Sequence, residues 1–180
     1  MTDSHGARHI IEPLDPDKHD RAAFSCGVAQ VDNFFKRTAN KLSRADNLRV
    51  YVMTEDGKAV IGFYSANSHS IDYRDLREKY ARNRQGHGNI PAAYISMIGR
   101  DERYKGGGYG GDLLADCLKR IAGAADQIGI AVVILDVLDC GDVEKTRRRA
   151  ELYTGYGFQP LPSMPLRMFL PVATLRGFFE

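Results

Sequence analysis

From Gly27 onward, Val31, Phe34, Phe35, Thr38 and Leu42 recur at offsets of 3, 4, 7 and 11, which places them on one face of a helix. The opposite face is basic, with Lys36 and Lys41. The pattern then changes period. Arg49 to Thr54 and Ala59 to Ala66 are rich in β-branched and aromatic residues, and the Glu55-Asp56-Gly57-Lys58 between them is turn chemistry, so an antiparallel hairpin is predicted. Upstream, His9 to Glu12 reads as a short strand, and Pro13 to Asp17 as a turn into a first helix that ends before Cys26. Ser68 to Asn89 is polar and charged, which predicts a helix-containing insertion or a loop. After Pro91, the apolar run Ala92 to Ile98 is a candidate central strand.

A glycine-rich turn follows, Lys105-Gly106-Gly107-Gly108-Tyr109-Gly110-Gly111, and leads into a helix with Leu113, Leu114, Cys117, Leu118, Ile121, Ala125 and Ile128 on one face. Ile130 to Leu138 predicts a buried strand, Val143 to Tyr153 a helix started by Asp142, and Leu166 to Leu170 a last short strand. No internal repeat is visible. Strands come first and are followed by one βαβ-like crossover, which predicts an α/β fold with a mixed sheet, not a regularly alternating doubly wound one.

Composition narrows the class. At 180 residues the chain fits one globular domain, residues 1–180, able to bury about two-thirds of its unfolded surface. Cys26, Cys117 and Cys140 are odd in number, widely spaced and without a CxxC pair, so neither a disulfide framework nor a zinc cluster is expected. Met1 to Ile10 lacks an apolar run, and the chain nowhere has about 18 uninterrupted apolar residues. A soluble, cytoplasmic protein is the expectation. The formal net charge of +2 demands no polyanionic partner but conceals clusters at Arg74, Arg77, Lys79, Arg82 and Arg84 and at Arg147, Arg148 and Arg149. Solvated helix faces are the plainer account of such runs.

The glycine turn is where chemistry enters. Glycines let backbone N–H groups converge, and the helix that follows opens with unpaired N–H groups at its positive dipole end, a combination that binds phosphate oxygens. No Lys-Ser or Lys-Thr follows the glycines, so the nucleoside triphosphate loop is absent. Gly106, Gly108 and Gly111 meet the dinucleotide GxGxxG spacing, but too little chain surrounds them for two mononucleotide halves. A ligand-free turn and coenzyme A remain as alternatives.

The segment Ile95-Ser96-Met97-Ile98-Gly99-Arg100-Asp101-Glu102-Arg103-Tyr104 and the glycine turn through Leu114 resemble the pyrophosphate motif of the GCN5-related N-acetyltransferases, (Gln or Arg)-x-x-Gly-x-(Gly or Ala). The motif falls on Lys105 to Gly110, with Lys105 where the family has Gln or Arg. Lysine can still neutralise phosphate as a point charge, without the planar fork of arginine. Ala150-Glu151-Leu152-Tyr153-Thr154-Gly155-Tyr156-Gly157-Phe158 is similar to the family's helix-ending Phe-Tyr-x-x-x-Gly-Phe segment. Phe24-Ser25-Cys26-Gly27, Val31-Asp32-Asn33-Phe34-Phe35 and the ending Arg167-Met168-Phe169-Leu170-Pro171 resemble the toxin branch, the acetyltransferase toxins of bacterial toxin–antitoxin pairs. Cys26-Gly27 reads more simply as a helix-capping turn.

The resemblance implies a mostly antiparallel sheet flanked by helices, acetyl-coenzyme A as donor and no metal. It places the pantetheine arm on the backbone of Ile98, Gly99 and Arg100, the pyrophosphate on Lys105, Gly106, Gly107, Gly108, Tyr109, Gly110 and Gly111, and a catalytic phenol at Tyr153, with Tyr156 as the fallback. The toxin branch further implies aminoacyl-tRNA as acceptor, blocked translation, a small ribbon-helix-helix antitoxin and a homodimer. Arg37, Lys41, Arg44 and Arg49, with the basic insertion, are the expected tRNA face. Acidity constrains the acceptor independently. A lysine amine is only about 0.04% neutral at pH 7 and an α-amine roughly 14%, a difference of about 3.5 kcal/mol. An enzyme for lysine would gain from a positioned carboxylate, and the chain offers only Asp136 and Asp139 at a strand end. A housekeeping enzyme for a small amine or protein N-terminus, and a non-catalytic coenzyme A-binding module, stay open.

Overall fold

The computed structural model describes residues 8–76, 79 and 88–180. Seven strands, β1 (Ile10–Pro13), β2 (Arg49–Thr54), β3 (Val60–Asp72), β4 (Asn89–Arg100), β5 (Val132–Asp136), β6 (Gln159–Pro160) and β7 (Arg167–Pro171), form one sheet in the order β1-β2-β3-β4-β5-β7-β6. β1 pairs antiparallel with β2, and β7 antiparallel with both β5 and β6, whereas β4 and β5 run parallel. Parallel neighbours need a crossover, and helix α3 (Tyr109–Ala125) supplies it. Further helices among the described residues include α1 (Ala29–Asn33), α2 (Ala39–Arg44), α4 (Val143–Gly155) and α5 (Val172–Arg176). The expected mixed, mostly antiparallel sheet is therefore present. Among the described residues no helix is long and apolar enough to cross a membrane.

The chain divides into two compact units, Met1–Ser65 with Met97–Asp116, and Ala66–Ser96 with Cys117–Glu180. In the first, Phe24, Phe35 and Phe63 are fully buried; the Phe35 and Phe63 rings stack at 4.2 Å and Phe24 meets Phe35 edge-on at 5.0 Å. Each such ring contributes about 1.5–3 kcal/mol by burial. In the second, Ile71, Ile90, Val132, Ile134, Leu161 and Phe169 pack together.

Several sequence expectations change. Leu14 to Cys26 is not a helix but a run of turns, in which Asp15 N–H donates to Nδ1 of buried His19 at 3.0 Å and Asp20 bridges to Ala59. Helices α1 and α2 are one rod interrupted by a π-turn, Phe34–Thr38, where Ala39 N–H donates to Phe34 O, five residues back. The extra residue rotates the apolar stripe, so Ala39 is buried and Thr38 exposed. β3 extends to Asp72 into the supposed insertion, and Asp72 then caps a 3₁₀ turn, Tyr73–Asp75. Residues 77–78 and 80–87, which carry Arg77, Arg82 and Arg84, lie outside the described residues. Ile128 falls beyond the end of α3 and is 62% exposed. Glu55 to Lys58 turns as expected, with Gly57 at φ +83° and its N–H held by Thr54 Oγ1 at 3.0 Å.

Candidate active site

In the first unit the glycine turn is built backwards from Asp101. This carboxylate is 1% exposed, and its Oδ1 accepts from Arg103 N–H and Nε, both at 2.9 Å. Its Oδ2 accepts from Ser25 N–H and Arg103 Nη2, both at 3.0 Å. Burial alone would raise its pKa, but the Arg103 bonds and the Ser25 N–H outweigh burial and hold it below the usual carboxylate range. Glu102 N–H donates to Ser25 O, and Cys26 N–H to Asp32 Oδ1, which locks the Phe24–Gly27 turn to this corner. Cys26 thus serves a structural turn, and burial pushes its thiol up to about 12. A side chain at Gly27, φ +84°, would collide with the Glu102 carboxylate.

From this anchor Lys105 to Gly108 run exposed, with Gly106 at φ +86° and Gly108 at φ +75°. A Cβ added at Gly106, Gly108 or Gly110 would meet nothing within 4 Å, whereas one at Gly107 would strike the Tyr109 ring at 2.5 Å. The turn is therefore open on one side and backed by an aromatic ring on the other. Tyr109 is held by Glu55, which accepts from its hydroxyl at 3.3 Å, and packs edge-on against Tyr104 and His9. Ile98, Gly99 and Arg100 end β4, whose ladder with β5 runs from Ala92–Val132 to Ile95–Leu135; β4 then continues to Arg100. A Cβ at Gly99 would meet Val31 Cγ1 at 2.8 Å and Phe63 Cε1 at 3.2 Å, so only glycine fits under the aromatic core.

In the second unit Tyr153 lies near the end of α4, which Asp142 caps by accepting from Lys145 N–H at 3.1 Å. Tyr153 is 8% exposed, meets Phe158 edge-on at 6.1 Å, and its hydroxyl makes no hydrogen bond to a described residue. Burial raises its pKa against the opposing charge of Arg149, so it is a protonated donor at neutral pH. Tyr156, one turn along, is only partly buried. Asp136, the carboxylate at the end of β5, is fully engaged: Arg167 Nε and Nη2 donate to it at 2.7 and 2.8 Å and Tyr94 Oη at 2.7 Å. Arg167 holds it below the ordinary carboxylate range, which disqualifies it as a base. Asp139 accepts Gly141 N–H in a turn.

Arg37, Lys41 and Arg44 do converge, in a groove of about 490 Å³ that Arg21, Lys36, Asn40 and Ala45 complete. Arg49 does not line it; its guanidinium instead donates to Asp46 at 2.8 Å and to the Ser43 and Leu48 carbonyls. Sequence reasoning missed Arg21, whose Nη1 donates to Phe35 O within the π-turn at 3.3 Å. The Arg147 to Arg149 run is a solvated face: Arg147 pairs with Glu144 and Glu151, Arg148 with Glu144, and Arg149 donates to Leu138 O. Among the described residues no group of three or more His, Cys, Asp or Glu is placed to hold a metal.

No family model matches the chain. It is 76% identical over 178 residues, 98% of both chains, to the "Probable toxin TacT" of Sinorhizobium fredii. It is also 29% identical over 161 residues, 89% of this chain and 91% of the other, to a "tRNA-acetylating toxin" of Mycobacterium tuberculosis. Among solved structures it is similar to AtaT complexed with acetyl-methionyl-tRNAfMet, at TM-score 0.82 and 21% identity over 96% of this chain and 100% of that one. A tyrosine-to-phenylalanine mutant of KacT aligns at TM-score 0.84 and 19% identity, over 95% and 99% of the two chains. A third neighbour is AtaTR bound with acetyl-coenzyme A, at TM-score 0.79 and 22% identity over 96% and 98%.

Proposed function

The chain belongs to the TacT toxin family, within the GCN5-related N-acetyltransferases, and from that premise we propose that it transfers acetyl from acetyl-coenzyme A to the α-amino group of aminoacyl-tRNA. The observation that carries this reading is its near end-to-end match to a probable toxin. The geometry supports the donor half. Gly106 to Gly111 offer backbone N–H groups in open space at the mouth of α3, suited to a pyrophosphate, with Lys105 as counter-charge. The backbone of Ile98, Gly99 and Arg100, beyond the β4–β5 ladder, suits a pantetheine arm bonded as an extra strand would be.

In the chemical step the neutral amine forms the new C–N bond at the thioester carbonyl and loses a proton to solvent. As the C–S bond breaks, Tyr153 gives its phenolic proton to sulfur and recovers one from solvent. Its raised pKa keeps the phenol protonated until the thiolate leaves. Because Asp136 and Asp139 are both engaged elsewhere, an acceptor that is already partly neutral at pH 7 suits this chain better than lysine. The groove of Arg21, Lys36, Arg37, Lys41 and Arg44 is the tRNA phosphate face.

Residues 1–180 act as one cytoplasmic N-acetyltransferase domain, work as a homodimer and are neutralised by a small ribbon-helix-helix antitoxin; arrested growth on expression alone, with rescue by the neighbouring gene, tests the last point. The central experiment is transfer of labelled acetyl to total charged tRNA, with uncharged tRNA and Tyr153→Phe as controls. The expected result is label on charged tRNA alone, reduced about 10²- to 10⁴-fold in the variant. Label on free amines or protein termini instead would move the chain to a housekeeping role. Acetyl-coenzyme A binding with no transfer to any amine would leave a binding module.

A further inference from the structure

The basic groove is organised around a break in its helix. Its lining carries five cations and no carboxylate, and two of them, Lys36 and Arg37, sit inside the π-turn itself. In an unbroken α-helix Ala39 N–H would donate to Phe35 O, and Lys36 and Lys41 would stand about 140° apart round the axis. Here Ala39 N–H reaches back to Phe34 O, which slackens the winding, narrows that angle and takes from Phe35 O its helical donor. Arg21 fills the place, with its Nη1 donating to Phe35 O at 3.3 Å. An unmet carbonyl on a residue whose side chain is fully buried is costly, so this donor favours the π-turn over a regular winding.

Arg21 is itself held from behind. Asp20 N–H donates to Lys58 O at 2.9 Å, Asp20 Oδ1 accepts from Ala22 N–H at 3.1 Å, and Phe24 N–H donates to Arg21 O at 3.2 Å. We infer that Arg21 is the positioning residue of the tRNA face: by holding Phe35 O it keeps the π-turn that brings Lys36 into the same groove as Lys41, so that tRNA phosphates meet both; this rests on the tRNA reading of the groove.

The experiment is a double-mutant cycle. Wild type, Arg21→Met and Arg21→Lys, each with and without Lys36→Ala, are titrated with total charged tRNA across a salt series in the absence of acetyl-coenzyme A. Circular dichroism and melting temperature record whether each variant folds. In the wild-type background Lys36→Ala should weaken binding about threefold to tenfold and lower the slope of log K on log salt by about one. Arg21→Met should lower that slope by about two, because it removes its own charge and the contribution of Lys36, and adding Lys36→Ala to it should change affinity by less than about twofold. Arg21→Lys, which keeps a cation and a donor of similar reach, should restore the Lys36 effect. Should Arg21→Met not fold, the cycle with Arg21→Gln, neutral and shorter, decides by the same criteria. A Lys36→Ala loss as large beside Arg21→Met as in wild type makes Arg21 one more independent phosphate cation and overturns the inference. So does a slope that falls by only about one in Arg21→Met. Failure of wild type to bind charged tRNA would instead remove the tRNA reading of the groove itself.

Discussion

The glycine turn and the basic groove belong to the same unit of the molecule, yet they are made in opposite ways. The turn works by absence. Gly106 and Gly108 take positive φ, and at both positions, as at Gly110, a side chain would project into empty space, which leaves backbone N–H groups as the chemistry on offer. The groove works by accumulation, with Arg21, Lys36, Arg37, Lys41 and Arg44 gathered on one surface. A backbone site tolerates little substitution and selects a shape; a side-chain site loses its function by degrees and selects a charge.

The largest break in that comparison is Gly108→Val. No contact within the protein would be struck, so the cost is a β-branched residue at φ +75° and a side chain in the ligand's space. Acetyl-coenzyme A affinity should fall by about a hundredfold or more by calorimetry, while tRNA binding stays within about twofold. Charge reversal in the groove, Arg37→Glu with Lys41→Glu, should do the converse. tRNA affinity should drop about tenfold to a hundredfold at low salt, with a shallower dependence of log K on log salt, and the KM for acetyl-coenzyme A should not move.

Asp101→Asn sharpens the account of how the turn is held. Because the folded-state pKa of Asp101 lies below the unfolded value near 3.9, its stabilisation is complete above about pH 5 and is lost as pH falls through the folded pKa. The asparagine variant should lose about 1.5–3 kcal/mol at pH 7 in urea unfolding and show a flatter decline between about pH 4 and pH 2. Smallest of all is Arg49→Ala. With its guanidinium committed to Asp46 and local carbonyls outside the groove, tRNA affinity and stability should stay within about 0.5 kcal/mol of wild type.

What could be read from the chain follows the same division. The strand, glycine turn and helix from Ala92 to Ile121 were legible because each is local: an apolar run, a turn composition, a helical period. Asp142 as a helix cap and Glu55 to Lys58 as a hairpin turn were legible for the same reason. The groove was legible only in part. Arg37, Lys41 and Arg44 share a helical face, but Arg21 arrives through a segment misread as helix, and the π-turn that shifts Thr38 out and Ala39 in has no mark in the sequence pattern. Asp101 was passed over because its partner Ser25 is far away in the chain; the Asp-x-Arg pattern of Asp101 and Arg103 was the available signal.

The bond from Ser25 to Asp101 spans 76 positions. Closing so long a loop is slow compared with forming a helix or hairpin, because chain entropy is spent before the contact forms. On the ribosome, therefore, the glycine turn matures late: Ser25 and Asp101 must both have emerged and met before Asp101 can set it, and Tyr153 is made later still. A chain cut just after the glycine sequence would hold both ends of this bond yet lack β5, β6 and β7 of the sheet.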